Sequence, residues 1–192
     1  FLSHFKTFPN IRINFGNKSQ RRARKSHMVN DAHEQLLQSI HQHHINIQSR
    51  EIYLHGNYLH DSDEPSIEYR MATTFIKNMQ LLDSINNTGI IVHMHTGGGN
   101  WLDGMAIYNT IRFAKSPVTF IVYGRATSMS GVILQAADKR LMSPSTHFMA
   151  HFGSTDCSGE YLSSQNWAEL DKANLELMLD IFAAKCFKAG KF

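Results

Sequence analysis

Twice in this chain a short, almost wholly apolar run passes through a glycine-rich turn into a helical run. Ile90-Ile91-Val92-His93-Met94-His95 leads into Thr96-Gly97-Gly98-Gly99-Asn100, and a helix is predicted from about Leu102 to Ala114. Val118-Thr119-Phe120-Ile121-Val122-Tyr123 leads into Gly124-Arg125-Ala126-Thr127-Ser128-Met129-Ser130-Gly131, and a helix is predicted to about Ala137. Strands apolar on both faces belong in the middle of a parallel sheet covered by helices. Strand–helix alternation implies βαβ crossovers of one hand and an α/β fold. In such sheets the working site lies beyond the carboxyl ends of the strands. Both glycine turns fall at carboxyl ends, so neighbouring strands would bring them side by side.

The other elements follow from spacing. Asn30 or Asp31 can cap a helix through about His44, with Leu36, Leu37 and Ile40 on one face. Arg50–Gly56 reads as a first strand ended by glycine. After the acidic turn Asp61–Pro65, an i, i+4 stripe of Ile67, Met71, Phe75 and Met79, with Leu82, predicts a helix over 66–84, with Pro65 suited to its first turn. The helix after the triple glycine should bury Met105, Tyr108 and Ile111. Short strands are expected at Arg140–Met142 and His147–His151, followed by a polar stretch from Gly153 to Gly159. The longest helix is expected from about Ser163 to Lys188, with Trp167, Leu170, Leu177, Met178, Ile181 and Phe182 at helical spacing.

Ser128 stands between a buried strand and a helix start, where backbone N–H groups lack helical acceptors. It reads either as a plain N-cap, a position serine favours for capping alone, or as a nucleophile whose oxyanion those N–H groups would hold. The glycines at 97–99 leave backbone N–H groups unshielded. His151 ends a strand and can reach the same sheet edge. A hydroxyl, a base and two N–H donors are the set that acyl transfer needs. A phosphate loop is the rival reading of the triple glycine, but neither G-x-G-x-x-G nor G-x-x-x-x-G-K-[ST] is present. His93 and His95 share a strand face, and His33, His41, His43 and His44 crowd the first helix. Both groups are open to a metal reading, but no carboxylate or cysteine completes a recognisable ligand pattern around the first-helix histidines, which read as surface residues, and His93 and His95 read as structural or orienting residues.

The net charge of +3 conceals an asymmetry. Residues 1–30 hold seven Lys/Arg and no acid, which leaves 12 of the 19 basic residues against all 16 acidic ones. Residues 1–28 lack sustained periodicity and read as a flexible basic arm; residues 29–192 read as one domain. The arm is open to three readings: a solvated tail, a contact for nucleic acid or another anionic surface, or an organelle transit segment. No run is long enough to span a membrane. Cys157 and Cys186 form no disulfide or metal framework and point to a reducing compartment.

Several motifs in order resemble the Clp peptidase family, the self-compartmentalised serine proteases called ClpP. Arg50–Gly56 is similar to the family's opening strand. Thr96–Asn100 takes the place of its Ser-Pro-Gly-Gly-hydrophobic turn, and Gly104–Thr110 is close to the helix that follows. Gly124–Gly131 resembles the Gly-Gln-Ala-Ala-Ser-Met-Gly-Ala block around the nucleophile, and Phe148-Met149-Ala150-His151 the segment bearing the catalytic histidine. The resemblance implies a ClpP/crotonase-like spiral of βαβ units with a protruding C-terminal handle helix. It implies Ser128 as nucleophile, His151 as general base, the N–H groups of Gly99 and Met129 as oxyanion hole, and no cofactor. It further implies protein or peptide substrates, homo-oligomeric rings (a heptamer, or two stacked as a tetradecamer), a partner AAA+ ATPase unfoldase, and a cytoplasmic setting, bacterial or phage-encoded, with an organelle stroma or matrix as the alternative. Nucleic acid enters only through the arm, and no membrane is implied.

The departures are specific. Gly97 replaces a proline, Asn100 a hydrophobic residue, and Phe152 follows the histidine where the family often has Gln-Pro. The family's triad acid lies on a segment beyond the handle helix that the sequence has not reached by Phe192, so the C-terminal part of the domain reads as incomplete. Asp171 and Asp180 do not match that motif. Two alternatives therefore stand beside the peptidase: a catalytically weak structural subunit of a mixed ring, and a crotonase-like acyl-CoA enzyme.

Overall fold

The computed structural model describes residues 18–55, 66–153 and 161–186. Phe1–Leu37 and Gln38–Phe192 are its two compact units. Helix α1 runs Lys18–His43 and so begins well before the expected cap at Asn30 or Asp31. Gln20, Arg21, Arg22, Ala23, Arg24 and Lys25 are all good helix formers, and no glycine or proline follows Gly16 to stop them. An amphipathic period was the wrong thing to require there. The rest of the arm, the acidic turn at 61–65, the polar stretch after Gly153 and Cys157 lie outside the described residues.

In the second unit, β1 (Ile45–Asn46) pairs antiparallel with β2 (Glu51–Leu54), a short edge strand that periodicity missed. The turn between them places Arg50 at φ 58°, outside the strand expected for it. The buried Arg50 guanidinium donates to the carbonyls of Leu82, Asn86, Thr88 and Gly89 and to the Ser116 hydroxyl. One side chain thus ties β2 to the end of α2 (Tyr69–Ile85) and the turn after it.

α2 starts three residues later than its stripe suggested. Glu68 caps it, accepting from the N–H groups of Arg70 and Met71. Ala72, Phe75, Met79 and Leu82 are buried at helical spacing. Ile67 is buried too, but in a bridge to Gly99 instead of on the helix. Strand β3 (Ile90–Thr96) leads to α3 (Trp101–Phe113), which Asn100 caps through the Asp103 N–H. α3 buries Gly104, Ile107 and Ile111; Met105 and Tyr108 lie at the edge of the core and are only partly covered.

β4 (Val118–Thr127) is the central strand and runs four residues past the expected end at Tyr123. It is followed by the short α4 (Met129–Leu134), β5 (Lys139–Met142), β6 (His147–Met149) and α5 (Tyr161–Ala183). The sheet order is β1-β2-β3-β4-β5, with β6 also on β4, and every pairing except β1–β2 is parallel. β4 therefore changes partner along its length: residues 119–122 pair with β5, and residues 125–127 pair with β6. That long-range pairing makes strand out of a segment that locally looks like a turn.

The core is the sheet face bearing Ile52, Leu54, Val92, Met94, Phe120 and Val122, all buried against α2, α3 and α4. The other face carries Tyr53, His93 and Tyr123, stacked at centroid distances of 4.9 and 5.8 Å. α5 meets the core near its end, where Met178 and Ile181 are buried and Phe182 packs edge-on to Phe148. Trp167, Leu170 and Leu177 share its helical spacing but stay exposed. No helix among the described residues is long and apolar enough to cross a membrane.

Candidate active site

The site forms where β3 and β4 end side by side. Opposite Met94 stands Val122 and opposite Thr96 stands Ala126, so β4 carries extra residues between the two pairs. The resulting bulge increases local twist and turns the end of the strand. Side chains then stitch the two ends together. The Thr127 hydroxyl donates to the Gly97 carbonyl at 2.9 Å, and the Ser130 hydroxyl lies 3.0 Å from the Thr96 carbonyl. Gly98 sits directly against the serine: a Cβ there would come within 2.7 Å of Ser128 Cβ and 3.0 Å of the Met129 nitrogen.

Ser128 occupies the N-cap position of α4, yet its side chain makes no capping bond. Its backbone is at φ 57°, ψ −128°, a conformation serine rarely adopts. Such strain costs about 1–3 kcal/mol and persists only where the surroundings enforce it. Here they do: the Ser128 N–H donates to the Met149 carbonyl at 2.8 Å, at the end of β6. The plain-cap reading of Ser128 is thereby overturned. The hydroxyl points instead to His151, with Oγ and Nε2 2.8 Å apart. The same β4–β6 pairing that strains the serine delivers the histidine two residues beyond Met149.

Gly99 is at φ 153° and forms the bridge to Ile67. The Ile67 N–H donates to the Gly98 carbonyl at 2.7 Å, and the Asn100 N–H donates to the Ile67 carbonyl at 2.8 Å. This pairing passes over the Gly99 N–H. The Met129 N–H lies in the first turn of α4, where no helical acceptor exists. The four residues singled out from the sequence, Gly99, Ser128, Met129 and His151, all line one cavity of about 360 Å³. Its far wall, which sequence reasoning did not assign, comes from α5 through Asp171, Asn174, Leu175 and Met178. The i, i+3, i+4, i+7 spacing of these four was the available signal.

The other ring nitrogen of His151 has a telling partner. The Gly153 N–H donates to Nδ1 at 3.2 Å. A nitrogen that accepts does not also carry the proton, so in the neutral ring this contact favours the tautomer with the proton on Nε2, facing Ser128. A general base needs the opposite tautomer, bare at Nε2 and protonated at Nδ1. Among the described residues no carboxylate pairs with His151 within 4.0 Å. The pair has the reach for proton transfer, and the Gly153 contact favours the tautomer that does not suit a base.

His93 does not face a partner histidine across an open site. Its Nδ1 shares a 2.8 Å hydrogen bond with the Tyr123 hydroxyl, and its Nε2 lies 3.9 Å from the Glu51 carboxylate. His95 packs its ring against Gly124.

The family model described as Clp protease matches residues 62–186. The chain is 36% identical over 107 residues to the ATP-dependent Clp protease proteolytic subunit of Carsonella ruddii, covering 55% of this chain and 50% of that protein. It is 38% identical over 96 residues to the subunit of the same name from Deinococcus radiodurans, covering 48% and 47%. The chain thus spans about half the length of the curated relatives it matches. A solved ClpP1 mutant from Listeria monocytogenes superposes with a TM-score of 0.62 over 72% of each chain, at 24% identity. That likeness is one of fold, and it bears out the spiral of βαβ units with a C-terminal handle helix.

Proposed function

Because the chain belongs to the Clp protease family, we propose that it is a Clp-type serine endopeptidase in which Ser128 attacks the peptide carbonyl and His151 handles the proton. The observation that carries this reading is the 2.8 Å contact between Ser128 Oγ and His151 Nε2, on a serine strained away from capping and facing a cavity. In the reaction Oγ adds to the carbonyl carbon as Nε2 takes its proton. The N–H groups of Gly99 and Met129 receive the oxyanion. The imidazolium then protonates the leaving amine, and water releases the acyl-enzyme by the same steps. For this His151 must first leave Gly153 and expose Nδ1–H to an acceptor.

The same reading extends to assembly. The exposed Trp167, Leu170 and Leu177 of α5 suit burial against further copies in a ring, a heptamer or a stacked tetradecamer. An AAA+ ATPase would feed folded substrates to it in a bacterial or phage-infected cytoplasm. The curated relatives carry ATP dependence in their names. The structural-subunit reading rests on the lack of a carboxylate paired with His151 among the described residues and on the Gly153 N–H occupying Nδ1 where an orienting acceptor would sit. Fluorophosphonate labelling separates the two. A label located on Ser128 by mass spectrometry, and absent from Ser128→Ala, is the expected result. No label on folded, assembled protein would leave a dormant subunit.

A further inference from the structure

The sheet face turned away from the core carries histidines that the peptidase chemistry does not use. Tyr53 is the register partner of His93, so the next residues on that face, His55 and His95, also fall opposite each other. Their ring centroids are 6.4 Å apart, and the rings are tilted by 38°. The His95 ring lies on Gly124: a Cβ there would come within 2.6 Å of Nδ1 and 3.7 Å of Nε2, so Nε2 is the nitrogen farther from the strand. His95 is exposed and His55 half-buried, so an ion from solvent can reach both. Neither lines the cavity beside Ser128.

Two imidazoles sharing one zinc ion, at about 2.0–2.1 Å from each nitrogen, have centroids about 5 Å apart at a tetrahedral angle and about 6.4 Å apart in line. The observed pair stands at the open end of that range. Closing it by about 1 Å to the tetrahedral spacing takes only side-chain torsions. Ligation also needs a neutral ring. His55 meets that need, because burial, with His95, His93 and His44 nearby, pushes it down to about 4. No larger ligand set forms: among the described residues no group of three His, Cys, Asp or Glu is placed to hold a metal, and His93 is committed to Tyr123 through Nδ1. We infer that His55 and His95 form a two-ligand site for a zinc-like divalent ion, its other positions open to water or an external ligand. Imidazole suits zinc, copper and nickel, whereas magnesium and calcium take oxygen ligands. An ion held there would tie the carboxyl ends of β2 and β3 together.

The test is titration of the full chain with zinc chloride, read by calorimetry and by the ¹⁵N shifts of the histidine rings. Micromolar binding is expected, with the ring nitrogens of His55 and His95 shifting together. His55→Gln and His95→Gln should each weaken binding by at least about 10-fold, whereas His41→Gln and His43→Gln on α1 should not. Gly124→Ala keeps both ligands but displaces the His95 ring, and should weaken binding too. Zinc at about 100 times its Kd should raise Tm by roughly 5–10 °C in the parent and far less in His95→Gln, and magnesium should not raise it. The ring shifts are read on the parent, so a variant that fails to fold leaves the assignment testable. Zinc binding that survives His55→Gln and His95→Gln, or is lost with the α1 histidines instead, would overturn the site. So would ring shifts elsewhere, or no binding below millimolar zinc.

Discussion

Gly97 and Gly99 are two residues apart, and the same substitution at each should have opposite consequences. A Cβ on Gly99 would lie 2.2 Å from the Ile67 oxygen and 2.6 Å from the Ile67 nitrogen. Both are main-chain atoms, so no rotamer change can relieve the clash. Reaching ordinary contact requires the Ile67 strand to retreat by roughly an ångström. That movement breaks the hydrogen bonds of 2.7 and 2.8 Å that make the bridge. Two buried bonds at about 1 kcal/mol each, with about 1–3 kcal/mol for a side chain at φ 153°, give a destabilisation of about 3–5 kcal/mol. For a chain of this size that lowers Tm by roughly 10 °C. Gly97 differs on both counts. The nearest atoms to its Cβ belong to the flexible Arg125 side chain at 3.4 Å, and its φ is not in the left-handed region. Gly97→Ala should therefore stay within about 1 kcal/mol of the parent. The function should divide the same way. If the Gly99 N–H receives the oxyanion, Gly99→Ala should slow labelling of Ser128 by about 100- to 1000-fold, measured below Tm. A Gly99→Ala protein with the parent's Tm and labelling rate would refute the reasoning, as would equal damage from Gly97→Ala.

Arg50→Met removes the donor set that ties β2 to the end of α2 and should cost about 3 kcal/mol or more in urea unfolding; Arg50→Lys should recover only part, since one ammonium cannot span four carbonyls. Stability should also fall with acid. Burial, aided by His95 and His93, pushes His55 down to about 4, and burial with His43 and His41 pushes His44 down as well. The unfolded chain then binds more protons than the folded one between about pH 6.5 and 4. The stabilisation is complete above that window and is lost as pH falls through it. The urea midpoint should drop between pH 7.5 and 5, and less steeply in His55→Phe; equal midpoints would contradict the burial of His55. For His151, ¹⁵N NMR of the resting protein should show the proton on Nε2, because Gly153 donates to Nδ1. A protonated Nδ1 would mean that contact does not govern the ring.

Much of the fold was legible because its signals are local. The apolar strands 90–96 and 118–123, the helix stripe at Phe75, Met79 and Leu82, and the glycine turns between them follow from spacing alone. What escaped depends on partners distant in sequence. Ile67 looked like the first turn of a stripe and is a bridge to Gly99, because a buried β-branched residue beside a glycine finds a strand partner before a helix can start. Gly124–Thr127 looked like a turn and is strand, because β6 pairs with it. The early start of α1 escaped because helix propensity without an apolar face leaves no periodic trace. At the site, Ser128 and His151 were readable as residue types in a known order, and their contact was not. Asp171 was seen and set aside because it matched no motif; only the packing of α5 shows that it faces the cavity.

Three of the features that escaped local reading assemble the site, and they share a cause. Each is a main-chain pairing at the carboxyl end of the sheet: Ile67 with Gly98 and Asn100, Arg125–Thr127 with His147–Met149, and Ser128 N–H with Met149 O. Together they fix the backbone at Gly98, Gly99 and Ser128, all at positive φ, of which the serine's is the one that local propensity disfavours. A serine at φ 57° is held there by a neighbour 21 residues away in sequence, and the same neighbour sets the reach of His151. Loosening β6 should therefore separate Ser128 from His151, the proposed nucleophile and base, before it unfolds the core, because Phe120 and Val122 keep β5 as their partner when β6 departs.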